Sequence, residues 1–376
     1  MKMALIGSGV LCVVTGFGAE ALGAISFTRL DGMVQGSGIS SDGRVVVGVG
    51  SGQNRSAYWT RANGVRVVPG AAGTLGGGSA NGVSPDGEWI VGSVRVPVGS
   101  SFGLAAYRWS TGTAMQVLPD QPGGVSSANY VAQAVSNGGG VVAGYGDIGS
   151  TLLSFSYTSA DDTTRTLPQF SPSPYSTINQ GMSADGTKFF GGARLGTGFV
   201  AFRSTVAGVQ RLPGLNPGTS ALPFQDYATD ASDDGRFATG WSVLGALDNL
   251  QFRAILWDGL TPRTLGSQTA RAYGVSNQGE TVVGSLGVGD SAAMIWTADL
   301  GMRDLRAYLV GDLGLGAQLS GWTLSRAAAV SGDGKTIMGW GTRNGQQAGF
   351  VVVVPEPASL GLVASLLPVM LRPRRN

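Results

Sequence analysis

The residues best placed to do chemistry recur in one short pattern. "SPDGEWIVG" runs from Ser84 to Gly92, and close variants begin at Ser40, Ser183 and Ser331. A hydroxyl two residues from a carboxylate, in a glycine-rich stretch, could be a hard-cation loop, a remnant of a catalytic motif, or a turn. The pattern occurs seven times, with Ser at 40, 84, 136, 183, 232, 276 and 331. Aspartate is present in five copies (Asp42, Asp86, Asp185, Asp234, Asp333), and Gly138 and Gln278 replace it in the other two. A glycine three residues after the serine (Gly43, Gly87, Gly139, Gly186, Gly235, Gly279, Gly334) and one eight after it (Gly48, Gly92, Gly144, Gly191, Gly240, Gly284, Gly339) never vary. Asp–Gly suits a tight hairpin connection, and a serine hydroxyl bonds nearby backbone in turns. Calcium takes roughly six to eight oxygen ligands, so one carboxylate per turn is too few. Asp42–Gly43, Asp86–Gly87, Asp185–Gly186, Asp234–Gly235 and Asp333–Gly334 are therefore read as structural turns.

Composition removes much other chemistry. The chain has no histidine and one cysteine, Cys12. Zinc sites built on Cys and His, Ser-His-Asp triads, Cys-His nucleophiles and histidine-ligated haem lack their parts. Carboxylate-only glycosidase chemistry stays open, but Glu88 and Glu280 share a repeat position with Arg44, Thr187, Arg236 and Lys335. A position that accepts either sign of charge is a solvated strand start. Asp161–Asp162 and Asp233–Asp234 read as polar loop residues. No catalytic, cofactor-binding or metal-ligating residue is identified. Net charge is +2, and the only lysines are Lys2, Lys188 and Lys335, so there is no basic patch for nucleic acid.

The elements around the motif repeat with it, at spacings of 44 to 55 residues. Each unit reads as four short β segments. One precedes the serine and one lies between the glycines. One carries an Ala-aromatic pattern ("AYW" 57–59, "AAYRW" 105–109, "VAFRS" 200–204), and one ends near Leu-Pro ("QVLP", "VQRLPG"). Such periods with four strands mark β-propeller blades. The strand between the glycines is apolar on both faces, as expected of a sheet sandwiched between neighbours. The expected fold is an all-β, seven-bladed propeller; a β-solenoid is the alternative. The seventh unit stops after "AGFVVVV" (348–354), and "FTRLDG" (27–32) matches the missing fourth strand, so an N-terminal strand is expected to close the ring.

The two ends read as addresses. Residues 1–24 have one lysine, an apolar run and small residues around Ala21–Ala24, the layout of a secretory signal peptide. Pro355-Glu356-Pro357, an apolar run (360–371) and then Arg372, Arg374 and Arg375 resemble the PEP-CTERM sorting signal of bacterial envelope proteins. That resemblance implies an exosortase-type enzyme as a transient partner. A run of twelve residues, Pro368 among them, is short of the ~20 that span a bilayer, which favours transient membrane association over a permanent anchor. An uncleaved hydrophobic tail is the alternative. The domain reading is 1–24 signal, 25–354 propeller, 355–376 sorting segment.

The body resembles the bacterial extracellular HAF repeats, through its G-x-S-x-D-G turn and Ala-aromatic-x-Trp strand. The naming histidine is absent: Ser56, Ala105 or Val200 stands there. The turns also resemble the Asp-box turns of sialidases, a structural feature. The resemblance implies export and repetition, not an activity. Three functions follow in order: an exported, non-enzymatic structural or adhesive propeller of the cell surface or matrix, a propeller binding exopolysaccharide or another surface glycan, and a carboxylate-dependent polysaccharide-active enzyme. Trp59, Trp109, Trp257 and Trp296 share one blade position and are expected to pack between blades. Trp322 lies outside that slot, in an insertion (300–324). Together with a second insertion (120–130), it marks the face where a ligand is expected.

Overall fold

The computed structural model describes residues 25–355 apart from 53–54, 122–128, 150, 171–175, 197, 216–224 and 245–250. The signal-like segment lies outside the described residues, as do Glu356, Pro357, Arg372, Arg374 and Arg375; Pro355 is the last residue described. Seven four-stranded antiparallel sheets form the seven blades. The innermost strands, in blade order, are Met33–Ile39, Gly78–Val83, Val131–Val135, Ser176–Met182, Asp226–Ala231, Ala270–Val275 and Trp322–Val330. The chain is a propeller, not a solenoid.

Six blades take their four strands in sequence order, and the seventh does not. Its outer strand is Ser26–Leu30, paired antiparallel with Gln346–Val353 so that Phe27 faces Val352 and Leu30 faces Gly349. The N-terminal strand thus closes the ring. Phe27 lies 5.1 Å edge-on from Trp322 and 5.5 Å from Phe350, stacked, so the closure is an aromatic cluster as well as a ladder. Closing the ring also removes the free sheet edge.

Between blades the core is aromatic and aliphatic. Trp59, Trp109, Trp257 and Trp296 are buried in their shared slot, and Phe155, Tyr157 and Phe202 fill corresponding third strands. The residue just after the fourth strand is buried in six blades (Val68, Leu118, Leu167, Leu212, Leu265, Leu305), and Leu30, which ends the fourth strand of the seventh, is buried too. The insertion over 300–324 supplies the fourth strand of blade 6, Gly301–Asp304, then a short helix, Leu305–Gly311. Asp304 caps that helix by accepting the Ala307 N–H at 2.8 Å. Its face of Leu305, Tyr308 and Leu309 packs in the same core as Trp322.

Removal of residues 25–31 is expected to lower the melting temperature by far more than trimming a terminus does. Phe27→Ala alone should cost about 3 kcal/mol in denaturant unfolding. Melting unchanged by the deletion would contradict ring closure by this strand.

Candidate functional site

The seven motifs build one end of a central channel, and the hydroxyl is the part that acts in all seven. Each serine Oγ accepts the backbone N–H five residues on, from Val45, Trp89, Val141, Lys188, Phe237, Thr281 and Thr336, at 2.9–3.0 Å. Where aspartate is present, the same hydroxyl donates to it, as from Ser232 to Asp234 Oδ1 at 2.6 Å. The carboxylate also accepts the N–H two residues after it, as from Arg236 at 2.8 Å. The Ser183 hydroxyl and then the Thr187 N–H hold the Asp185 carboxyl below its ordinary range. The first glycine turns the corner with positive φ, 70° at Gly43 and 74° at Gly334. Asp42, Asp86, Asp185, Asp234 and Asp333 thus sit in hairpin corners.

The second glycine answers to a different constraint. Opposite it, every innermost strand carries a β-bulge, so that Ala132 pairs with Gly144 and Ala134 with Ala143 while Gln133 is left over. The strand's carbonyl turns toward the glycine at that point. A Cβ on Gly144 would lie 2.0 Å from the Val131 oxygen, and one on Gly240 1.9 Å from the Tyr227 oxygen. A bulge re-aims the residue it frees. The freed residues are Ser37, Asn81, Gln133, Gln180, Thr229, Tyr273 and Ala328, and all seven line the channel.

The motif's next residue stitches each blade to its neighbour. Ser41 N–H donates to the Pro85 oxygen (2.9 Å), Asn137 to Ala184 (2.9 Å), Ala184 to Asp233 (2.7 Å), Asn277 to Gly332 (2.8 Å) and Gly332 to Ser41 (2.9 Å). Pro85 has no N–H, and at that junction Asp86 N–H donates to Asn137 Oδ1 at 3.0 Å. Asp233 N–H donates to Asn277 Oδ1 at 2.9 Å. All seven junctions are bridged, and the hydrogen bonds form a closed belt.

Across the belt, Ser41 Oγ of blade 1 donates to Asp233 Oδ2 of blade 5 at 2.7 Å, and Asn277 Nδ2 donates to the same oxygen at 2.6 Å. The first bond crosses the axis between blades that are not neighbours, the second joins neighbouring blades 5 and 6, and together they floor the channel. Above the floor the lumen measures about 630 Å³, the size of a small-ligand pocket. Its wall farther from the turns includes Tyr227, Trp241, Arg326 and Trp340. Tyr227 and Trp241 stack at 5.5 Å and 7°. Arg326 lies 4.1 Å over the Tyr273 ring and pairs with Asp290 through its Nε at 3.0 Å and through Nη2. Burial works against the Asp290 charge, but hydrogen bonds from Ser285, Arg326 and Tyr273 outweigh it and keep the carboxyl below its ordinary range.

One residue breaks the lumen's repeat. Two positions before each serine stand Gly38, Gly82, Ala134, Gly181, Asp230, Gly274 and Ala329. Innermost strands nearly touch here: a Cβ on Gly82 would lie 2.2 Å from the Gln133 oxygen, and one on Gly274 2.9 Å from Ala329 Cα. Asp230 alone places a carboxylate at this neck, where Oδ2 accepts the Val275 N–H of blade 6 at 3.0 Å. Burial pushes its carboxyl up to about 7 against the pull of the Val275 and Ala231 N–H groups, and the Asp233 charge adds to the rise.

The expected ligand face fares differently. Trp322 is 4 % exposed, enclosed by Phe27, Phe350 and the short helix, and offers no platform to a ligand. Its ring belongs to ring closure, because the 300–324 insertion folds down onto blade 7. Of the second insertion, residues 122–128 lie outside the described residues. Asp161 pairs with Arg165 on the surface, and Asp162 accepts the Tyr157 hydroxyl at 2.8 Å. Glu88 is an exposed strand start. Among the described residues no group of three or more His, Cys, Asp or Glu is placed to hold a metal ion.

Comparison with known proteins yields fold likeness alone. No family model matches the chain, and no curated protein matches it. Solved structures similar to it include an oligogalacturonate lyase in complex with manganese (11% identity, 88% of this chain and 93% of that one, TM-score 0.51). Hydrazine synthase of Kuenenia stuttgartiensis is similar too (14% identity, 88% and 97%, TM-score 0.50). So is the β-propeller domain of Cps50 (Swd1) from Myceliophteria thermophila (11% identity, 88% and 99%, TM-score 0.49). The fold hosts unrelated functions, and the site must argue its own.

The neck carboxylate makes stability depend on pH in a definite direction. The unfolded chain ionises Asp230 near its ordinary 3.8, whereas the folded chain keeps the proton up to about 7. The protonated group's contribution is therefore full below about pH 4 and lost as pH rises through about 7. Melting of the wild type should fall behind that of Asp230→Asn across this window, with a constant gap above it. A gap that does not change with pH would contradict the assignment.

Proposed function

We propose that the chain is an exported, non-enzymatic binding propeller of the cell surface or extracellular matrix, holding a surface glycan or exopolysaccharide in its central channel. The observation that carries this reading is the row of bulges. Six of the seven turn a polar side chain (Ser37, Asn81, Gln133, Gln180, Thr229, Tyr273) into a lumen that Trp241 and Trp340 also line. Amide and hydroxyl groups satisfy sugar hydroxyls in either sense of donation, and indole faces pack on the apolar faces of pyranose rings. An adhesive role follows from such binding. Export rests on the signal-like 1–24 and on the sorting pattern of Pro355, Glu356, Pro357, Arg372, Arg374 and Arg375. The membrane association it implies is transient, through an exosortase-type partner.

A glycan array followed by calorimetry tests the binding. Trp241→Ala is expected to weaken the best glycan at least about tenfold, or ~1.4 kcal/mol, with a smaller loss of stability than truncating a fully buried tryptophan, because the ring is partly exposed. Trp322→Ala should instead lower stability by about 3–5 kcal/mol. A protein that binds no glycan, or binds equally well without Trp241, contradicts the reading. For export, the intact mass of protein from the producing cells should lack both end segments; a retained Asn376 terminus contradicts the sorting.

A further inference from the structure

The lumen has an uneven charge. Among its lining residues the acids are Asp230 and Asp233, and the one cation is Arg326. Arg326 is spent on Asp290, outside the lining, and its guanidinium already lies against the Tyr273 ring. Asp233 takes both of its described side-chain hydrogen bonds on Oδ2, which leaves Oδ1 with no donor among the described residues. Two carboxylates therefore face the ligand space without a cation to balance them.

Asp230 is also not what the fold needs at its position. Gly or Ala serves in the other six blades, and a neutral acceptor would take the Val275 N–H as well as a carboxylate does. A carboxylate at a crowded, partly dehydrated neck works against stability unless something positive joins it. The walls favour the same partner. Trp241 and Trp340 line the lumen, and the negative face of an indole attracts a cation and disfavours an anionic polysaccharide.

The geometry points to a ligand bearing primary ammonium groups; on the glycan-binding reading above, on which this rests, that is an oligosaccharide of amino sugars with free rather than acetylated amines. Asp230 is its specificity-determining residue: the ammonium donates to the carboxylate at the neck, Asp233 adds a second negative charge at the floor, and the aromatic walls hold the sugar rings.

The test is calorimetric titration of the whole protein with glucosamine oligomers and with N-acetylglucosamine oligomers of equal length, in a buffer near pH 7, where Asp230 ionises readily and an amine seated against it keeps its charge. The amine form should bind at least about tenfold tighter, and its affinity should fall as salt rises. Asp230→Asn, checked to melt no lower than the wild type in the same buffer, should cut the preference to about threefold or less. Should that variant fail to fold, the salt dependence of the wild type decides by itself. Equal affinity for the two oligomers, or preference for the acetylated one, overturns this inference and leaves the glycan-binding reading standing. Preference for the amine form that survives Asp230→Asn overturns the assignment to Asp230. Binding of neither oligomer, nor of any glycan on the array, overturns both.

Discussion

Seven innermost strands must converge on one axis, and their crowding governs the rest of the molecule. Strands that approach this closely cannot all carry side chains on their facing edges, and their backbone groups still need hydrogen-bond partners. The bulge meets both demands. It swings one residue per strand into the lumen and turns a carbonyl toward the next strand, where only glycine leaves room: a Cβ on Gly92 would stand 1.9 Å from the Ser79 oxygen. Immediately beyond, the serine hydroxyl ties down the hairpin corner and the following residue bonds to the next blade. Motif, bulge and belt are thus one device repeated seven times.

That device explains which parts of the repeat vary. The serine is buried in every copy, including Ser136 and Ser276, which lack the aspartate. Its hydroxyl is the acceptor no other group replaces. The aspartate adds bonds on the solvent side of the corner, where Gly138 and Gln278 are tolerated. Stability here comes from many equivalent contacts between neighbouring blades, and closure by Phe27, Trp322 and Phe350 makes the last junction like the others.

Much of this was legible in the sequence because it repeats. The period, the two glycines and the orphan strand at 27–32 specify blade number and closure. The shared tryptophan slot identified the interblade core. The lumen was harder to see, because a bulge leaves no mark in the period-two pattern of a five-residue strand. Its signal lay two and three residues before each serine, where small residues alternate with polar ones and Asp230 interrupts the small series. Trp322 misled for the opposite reason. Standing outside the repeat made it look free, whereas it fills the one junction whose fourth strand comes from the other end of the chain. Departures from the repeat divide accordingly into those that close the ring and those, like Asp230, that face its interior.

The claim that the turns and their belt make the ring one cooperative unit is open to a direct measurement, native-state hydrogen exchange read at single residues. The belt amides of Ala184 and Gly332, and the serine-bound amides of Val45 and Thr281, should exchange only through global unfolding, with one common free energy around the ring. Protection that differs from blade to blade by several kcal/mol, with turns opening one at a time, would contradict it.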